Sequence, residues 1–178
     1  MKTEVYWIAG PWPGQLAIAP RPRGGDWLED EIRAWREMGL DVVVSLLTPG
    51  EVTELELAQE ERWCQEHGIE FCSFPIPDRD VPDSREAVVA LIKELDLALG
   101  AGKRVAVHCR QGIGRSGLIT AAILIAAGEE PDAVWEHIGQ SRGRPVPDTD
   151  EQRAWVKSFG LTILNGIRKR VERGVRGV

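Results

Sequence analysis

At 178 residues with 43% apolar side chains, the chain is long enough for one well-buried core and short for two domains. Its formal net charge of −6 argues against a general nucleic-acid binder, which gains affinity by neutralising phosphates with a basic face. Its cysteines, Cys64, Cys72 and Cys109, are odd in number and lack metal-ligand spacing, which speaks against a secreted disulfide framework or a metal centre and implies a reducing compartment.

Read in chain order, strand-like and helix-like segments alternate. The first twenty residues carry Glu4 and several prolines in place of a basic start and an unbroken apolar run, so they do not read as a signal peptide. Within them 5–8 and 16–18 are short strands. A turn-rich stretch over 19–25 leads to Asp26, a candidate cap for a helix over 27–38. Residues 41–47 form a strand, 51–67 a helix stopped by Gly68, and 69–74 a strand. A helix over 84–99 follows, with Val88, Leu91, Ile92, Leu95 and Leu99 on one face. Residues 104–108 are a short buried strand and 116–127 a buried helix, whose apolar stretch is too short to span a bilayer. Helices over 131–138 and 150–159 complete the pattern. The alternation predicts an α/β fold: a single domain with a mainly parallel central sheet flanked by helices on both faces. That domain is placed at 1–164. The tail at 165–178 holds Arg168, Lys169, Arg170, Arg173 and Arg176 against Glu172, and reads as a solvated helix end or frayed tail, with contact to anionic partners as the alternative. With no membrane-spanning segment, the cytoplasm is the expected location.

Residues 108–117 carry the chemistry. They read His-Cys-Arg-Gln-Gly-Ile-Gly-Arg-Ser-Gly, between the strand ending at His108 and the helix from Ser116. In a strand, glycine-containing loop and helix, Gly112 and Gly114 let successive N–H groups converge on one point, where the helix N-terminus adds positive partial charge. A phosphate dianion fits such a hollow, and Arg115 can add a planar bidentate contact that lysine could not reproduce. The same field favours the thiolate of Cys109, a nucleophile that needs no dedicated base.

The run resembles the signature loop of the cysteine-dependent protein tyrosine phosphatases, in which His-Cys precedes a short loop, an arginine and a serine or threonine. The small dual-specificity members are the better match. The resemblance implies that Cys109 is the nucleophile, that Arg115 binds phosphate and steadies the transition state, and that the backbone of Arg110, Gln111, Gly112, Ile113, Gly114 and Arg115 forms the cradle. Ser116 would donate to the sulfur, and His108 would organise the loop by hydrogen bonds. Neither cofactor nor metal is implied. A general acid must protonate the leaving oxygen. The resemblance places it on the proline-stiffened loop Phe-Pro-Ile-Pro-Asp-Arg-Asp-Val-Pro-Asp over 74–83, where Asp78 fits best, Asp80 is the runner-up, and Asp83 followed by Glu86 also reads as a helix cap. Gln152 is the candidate for orienting water, although Thr149 and Gln152 equally make a capping box. Arg79, Arg110, Arg115, Arg142 and Arg144 are expected near the pocket mouth.

The expected substrate is a phosphorylated protein or peptide, with phosphotyrosine first and phosphoserine or phosphothreonine possible. Tyr6 is the only tyrosine, so an aromatic clamp of the larger tyrosine-specific domains is not foreseen. The loop interior carries no lysine, which puts phosphoinositide and RNA 5′-phosphate substrates second. A catalytically dead phosphate-binding module is the non-enzyme alternative, and a sulfur-carrying rhodanese the rival chemistry. Buried packing is the default reading of Cys64 and Cys72, with a reversible Cys72–Cys109 disulfide, as in some members of the family, the alternative.

Overall fold

A five-stranded sheet in the order β1-β2-β5-β3-β4 runs through the middle of the chain. The strands are β1 (Tyr6–Ile8), β2 (Gln15–Pro20), β3 (Val42–Ser45), β4 (Glu70–Ser73) and β5 (Arg104–Cys109). Only β1 runs antiparallel to its neighbour. This is a computed structural model; it describes residues 4–175, with side chains through residue 163.

Strand alternation sorts the core into two layers. Val105, Val107 and Cys109 of β5 face one side with Leu16, Ile18, Val42 and Val44, beneath α4 (Arg85–Gly100), α5 (Arg115–Ala126), α6 (Val134–Arg142) and α7 (Asp150–Val175). Ala106, Ala17 and Val43 face the other side, beneath α1 (Leu28–Glu37) and α3 (Glu60–Glu66). The small side chains Ala17 and Ala106 leave room there for Trp35, which is fully buried. Every residue of α5 from Arg115 to Ile125 is buried, so its apolar surface all round is that of a helix enclosed by protein. It starts at the carboxyl end of β5, where parallel sheets place ligands.

The α/β architecture with helices on both faces is as the alternation predicts. Several elements differ. The helix expected over 51–67 is two helices, α2 (Pro49–Glu54) and α3, parted where Glu56 takes a left-handed backbone (φ 56) so that Leu57 can turn into the core. α2 also starts earlier, because Thr48 caps it with a reciprocal capping box to Glu51 and Pro49 stands in the first turn. Asp26 caps nothing; it lies inside a single 3-10 turn, Gly25–Trp27. α4 is capped by Ser84, whose Oγ accepts the N–H of Ala87 at 3.1 Å, and not by Asp83. α7 continues past 159 and across 165; the basic side chains of 165–178 lie outside the described residues. Among the described residues no helix is long and apolar enough to cross a membrane.

Candidate active site

The loop over 110–114 is pinned from behind by its carbonyls. Arg21 N–H donates to Arg110 O at 3.4 Å. Arg142, nearly buried at the end of α6, donates from Nε to Gly112 O at 2.8 Å and from Nη2 to Gln111 O at 3.0 Å. In trans peptides each N–H points opposite to the carbonyl it shares a plane with, so the N–H groups of Gln111, Gly112 and Ile113 turn into the hollow of the loop. Glycine is required twice. Gly112 has φ 65, and a Cβ there would lie 2.5 Å from the backbone carbon of Ala19. Gly114 needs space and not a special φ: a Cβ would meet Asp148 Oδ2 at 2.1 Å.

The loop opens on a cleft of about 150 Å³ lined by Asp78, Arg79, Cys109, Arg110, Gln111, Arg115 and Asp148. Cys109 Sγ lies 3.2 Å from Ser116 Oγ. Arg115, 2% exposed, is held in one plane. Its Nη1 and Nη2 donate to the two oxygens of Glu51 at 2.7 and 2.9 Å, Nη1 also donates to Ile76 O at 2.9 Å, and Nη2 lies 2.9 Å from Asp78 Oδ1. Such a bidentate pair fixes the guanidinium more firmly than a point charge could. Glu51 is as buried as it is charged. Burial alone would push its carboxyl up, but hydrogen bonds from Arg115, the backbone N–H of Thr48 and Arg110 outweigh that and hold it at about 2. The folded value lies below the unfolded one, so this stabilisation is complete above pH 4.5 and disappears as pH falls through about 2. Acid titration of the melting curve is therefore expected to lose about 3 kcal/mol over that window from this group, and Glu51→Gln should flatten that part of the curve.

The three aspartates of the upstream loop separate clearly. Asp80 N–H closes a turn on Pro77 O, with Asp78 and Arg79 central and Arg79 in the left-handed region (φ 60). That turn delivers Asp78 to Arg115. Asp80 turns its own carboxylate onto the N–H of Val81 at 2.8 Å, and neither it nor Asp83 lines the cleft.

Other expected positions fall elsewhere. His108 is fully buried on the opposite face from Cys109, as alternation along β5 requires. Its Nε2 is 2.9 Å from Glu60 Oε1, without the alignment of a hydrogen bond, and Trp35 lies beside its ring. Its side-chain partners thus come from α1 and α3. Gln152 is buried and serves as the capping partner of Thr149, its Oε1 accepting the N–H of Asp148 and Thr149 at 3.2 and 3.3 Å. Arg142 stands behind the loop with its guanidinium 4.0 Å from the centre of the Tyr6 ring, and Arg144 lines a separate groove with Trp135 and Arg153. Cys72 is in register with Val44, itself in register with Val107, so two strand spacings of about 4.8 Å already part it from Cys109 by roughly 10 Å. A disulfide needs Cα atoms within about 7 Å, so the alternative Cys72–Cys109 pairing is not available in this fold. Burial raises the thiols of both Cys72 and Cys64, which makes them poor nucleophiles.

Glu51 and Asp148 escaped the sequence reading, and Arg142, expected at the pocket mouth, instead holds the loop carbonyls from behind. The Thr48-Pro49-Gly50-Glu51 capping signal could have located the start of α2, but nothing local links Glu51 to Arg115.

The model of the family described as polymorphic toxin system, DSP-PTPase phosphatase, matches residues 18–129, from β2 past the end of α5. The chain belongs to that family. Its relatives differ widely from it in sequence. Cyclin-dependent kinase inhibitor 3 of Sus scrofa is 23% identical over 134 residues, which cover 74% of this chain and 63% of that protein, so the chain spans less than two thirds of its relative's length. Among solved structures, kinase associated phosphatase superposes with a TM-score of 0.84 at 18% identity, covering 92% of this chain and 97% of the other, a likeness of fold alone. Tk-PTP in its active form superposes with a TM-score of 0.72 at 25% identity, covering 88% and 95%.

Proposed function

We propose that this DSP-PTPase phosphatase hydrolyses phosphate monoesters of protein side chains, phosphotyrosine first, through a phosphocysteine on Cys109. The observation that carries the reading is the convergence of Cys109, the clamped Arg115 and the Asp78 carboxylate on one small cleft. Cys109 Sγ attacks phosphorus as the P–O bond breaks, and Asp78 gives its proton to the leaving oxygen. Arg115 and the loop N–H groups hold the three equatorial oxygens, over which charge is spread in the transition state. Water then attacks phosphorus, the S–P bond breaks, Asp78 takes the water proton, and Ser116 donates a hydrogen bond to the departing thiolate. The catalytic unit is residues 1–164, with 165–178 as an appended basic segment. Free thiols throughout suit a reducing compartment, hence the cytoplasm.

The test is release of phosphate from p-nitrophenyl phosphate in the presence of a chelator, with vanadate inhibition, followed by phosphotyrosine, phosphoserine/threonine and phosphoinositide substrates. Turnover that needs added metal or ignores vanadate overturns the reading, and preference for the lipid reassigns the substrate. Asp78→Asn is expected to slow poor-leaving-group aryl phosphates by about 10²–10⁴ and good ones far less, because only a poor leaving group needs its proton. A uniform loss across the leaving-group series would remove Asp78 from the acid role.

A further inference from the structure

The small cleft has room for one phosphorylated side chain and little else, so a choice among phosphoproteins has to be made outside it. A larger hollow lies beside it. A groove of about 600 Å³ runs between the end of α6 and the start of α7, with Trp135, Gly139, Arg144, Pro145 and Arg153 in its lining. One stretch of chain joins the two: Val146 lines the groove, Asp148 lines the cleft, and only Pro147 intervenes. Cα atoms two residues apart are separated by at most about 7 Å, so a peptide with its phosphate in the cleft enters the groove within a few residues.

The charges of the groove are unequally satisfied. Glu136 accepts a hydrogen bond from Gln140 Nε2 at 3.1 Å, and Arg153 donates to Val146 O at 2.6 Å with its guanidinium 5.3 Å from the centre of the Trp135 ring. Arg144 is exposed, and its side chain has no partner among the described residues. What the groove lacks is therefore an anion. Trp135, Pro145 and Val146 set apolar surface around that cation, which fits the side chains of a polypeptide better than a free phosphate or a lipid headgroup. Gly139 is a second, independent observation. It stands inside α6 without a positive φ, and a Cβ there would meet nothing closer than Arg144 O at 3.4 Å, an ordinary contact. Neither backbone nor packing demands glycine at a position where it weakens a helix, and its missing side chain keeps the floor of the groove open.

We propose that this groove reads the protein substrate: it takes the residues about three to five positions from the phosphotyrosine, and Arg144 selects those with an acidic side chain there. The inference rests on the function proposed above and adds which phosphoproteins are preferred. Because the groove touches no reacting atom, its contribution is to capture and appears in KM and not in kcat.

Paired phosphotyrosine peptides, with glutamate or with glutamine at the flanking positions on both sides, are the probe. The parent is expected to favour the glutamate peptide about fivefold in kcat/KM at low ionic strength, and the preference should fade in high salt, as for exposed ion pairs. Arg144→Glu should reverse it, so that a lysine peptide becomes the better substrate. Gly139→Leu should abolish it by filling the groove, while Tm stays level or rises. Both variants should turn over p-nitrophenyl phosphate like the parent. A parent without the preference overturns the assignment, as does a preference that survives both substitutions, which would place the reader at the cleft mouth beside Arg79. Loss of p-nitrophenyl phosphate turnover in either variant overturns it too, by making the groove a support of the loop. A parent that hydrolyses phosphoinositide vesicles and neither peptide instead loses the proposed function itself.

Discussion

Cys109→Ser is expected to lower turnover of any phosphate monoester by roughly five to six orders of magnitude while leaving phosphopeptide binding intact. A serine hydroxyl ionises far less readily than a thiol, and an alkoxide is the poorer leaving group when water attacks phosphorus. Binding survives because phosphate is held by the loop N–H groups and Arg115, which the substitution does not touch. Removing a negative sulfur from beneath a dianion relieves repulsion, so the dissociation constant should be equal or lower. No other thiol can substitute: Cys64 and Cys72 are held protonated by burial, and Cys72 lies two strands away. Paired measurements of turnover and of phosphopeptide binding decide the matter. Residual turnover above about 1% would indicate direct attack by water, in which Cys109 only lines the site; lost binding would indicate a collapsed loop.

The loop half of the candidate site was legible because it is local. A strand end, a loop and a helix start are consecutive in the chain, and Cys109, Gly112, Arg115 and Ser116 stand in geometry that their own spacing imposes. The sheet was legible for the same reason: runs such as Val42 to Val44 declare buried strands one at a time. His108 followed a readable rule that the expectation overlooked, since neighbours along a strand face opposite layers. Asp78 was harder. Its separation from Asp80 and Asp83 depends on a turn with a left-handed Arg79, an Asp80 carboxylate spent on Val81, and Ser84 taking the cap. The break between α2 and α3 had no glycine or proline to announce it; Leu57 turns inward because a core pocket elsewhere in the chain awaits it. Glu51, Arg142 and Asp148 reach the loop from α2, α6 and the turn before α7, and such meetings are products of packing. Gln152 illustrates the limit from the other side: one motif supported a cap and a water-binding role, and the observed bonds are those of the cap and one to Asp80 O, with Asp148 of the same turn lining the cleft.

Glu51→Ala is expected to cost both stability and turnover, because it strands a buried cation. Arg115 is 2% exposed, and without Glu51 its remaining partners are two backbone carbonyls and Asp78, whose side chain is 58% exposed. Removing one member of a buried pair typically costs about 3–5 kcal/mol, a large share of the 5–15 kcal/mol that holds an ordinary domain together. For a chain of this size that corresponds to a fall in Tm of about 10 °C. Turnover should fall about a hundredfold as the guanidinium loses the plane that presents it to phosphate. Glu51→Gln keeps the shape and one acceptor and should lie between. The informative comparison is Glu51→Ala combined with Arg115→Met. An apolar side chain leaves no stranded charge, so much of the lost stability should return although activity does not. Recovery of Tm without turnover would mean that the pair contributes little net stability and is there to aim Arg115. If Glu51→Ala alone melts within a degree of the parent, the clamp is not what holds Arg115, and the guanidinium is already satisfied by the carbonyls of Leu46 and Ile76.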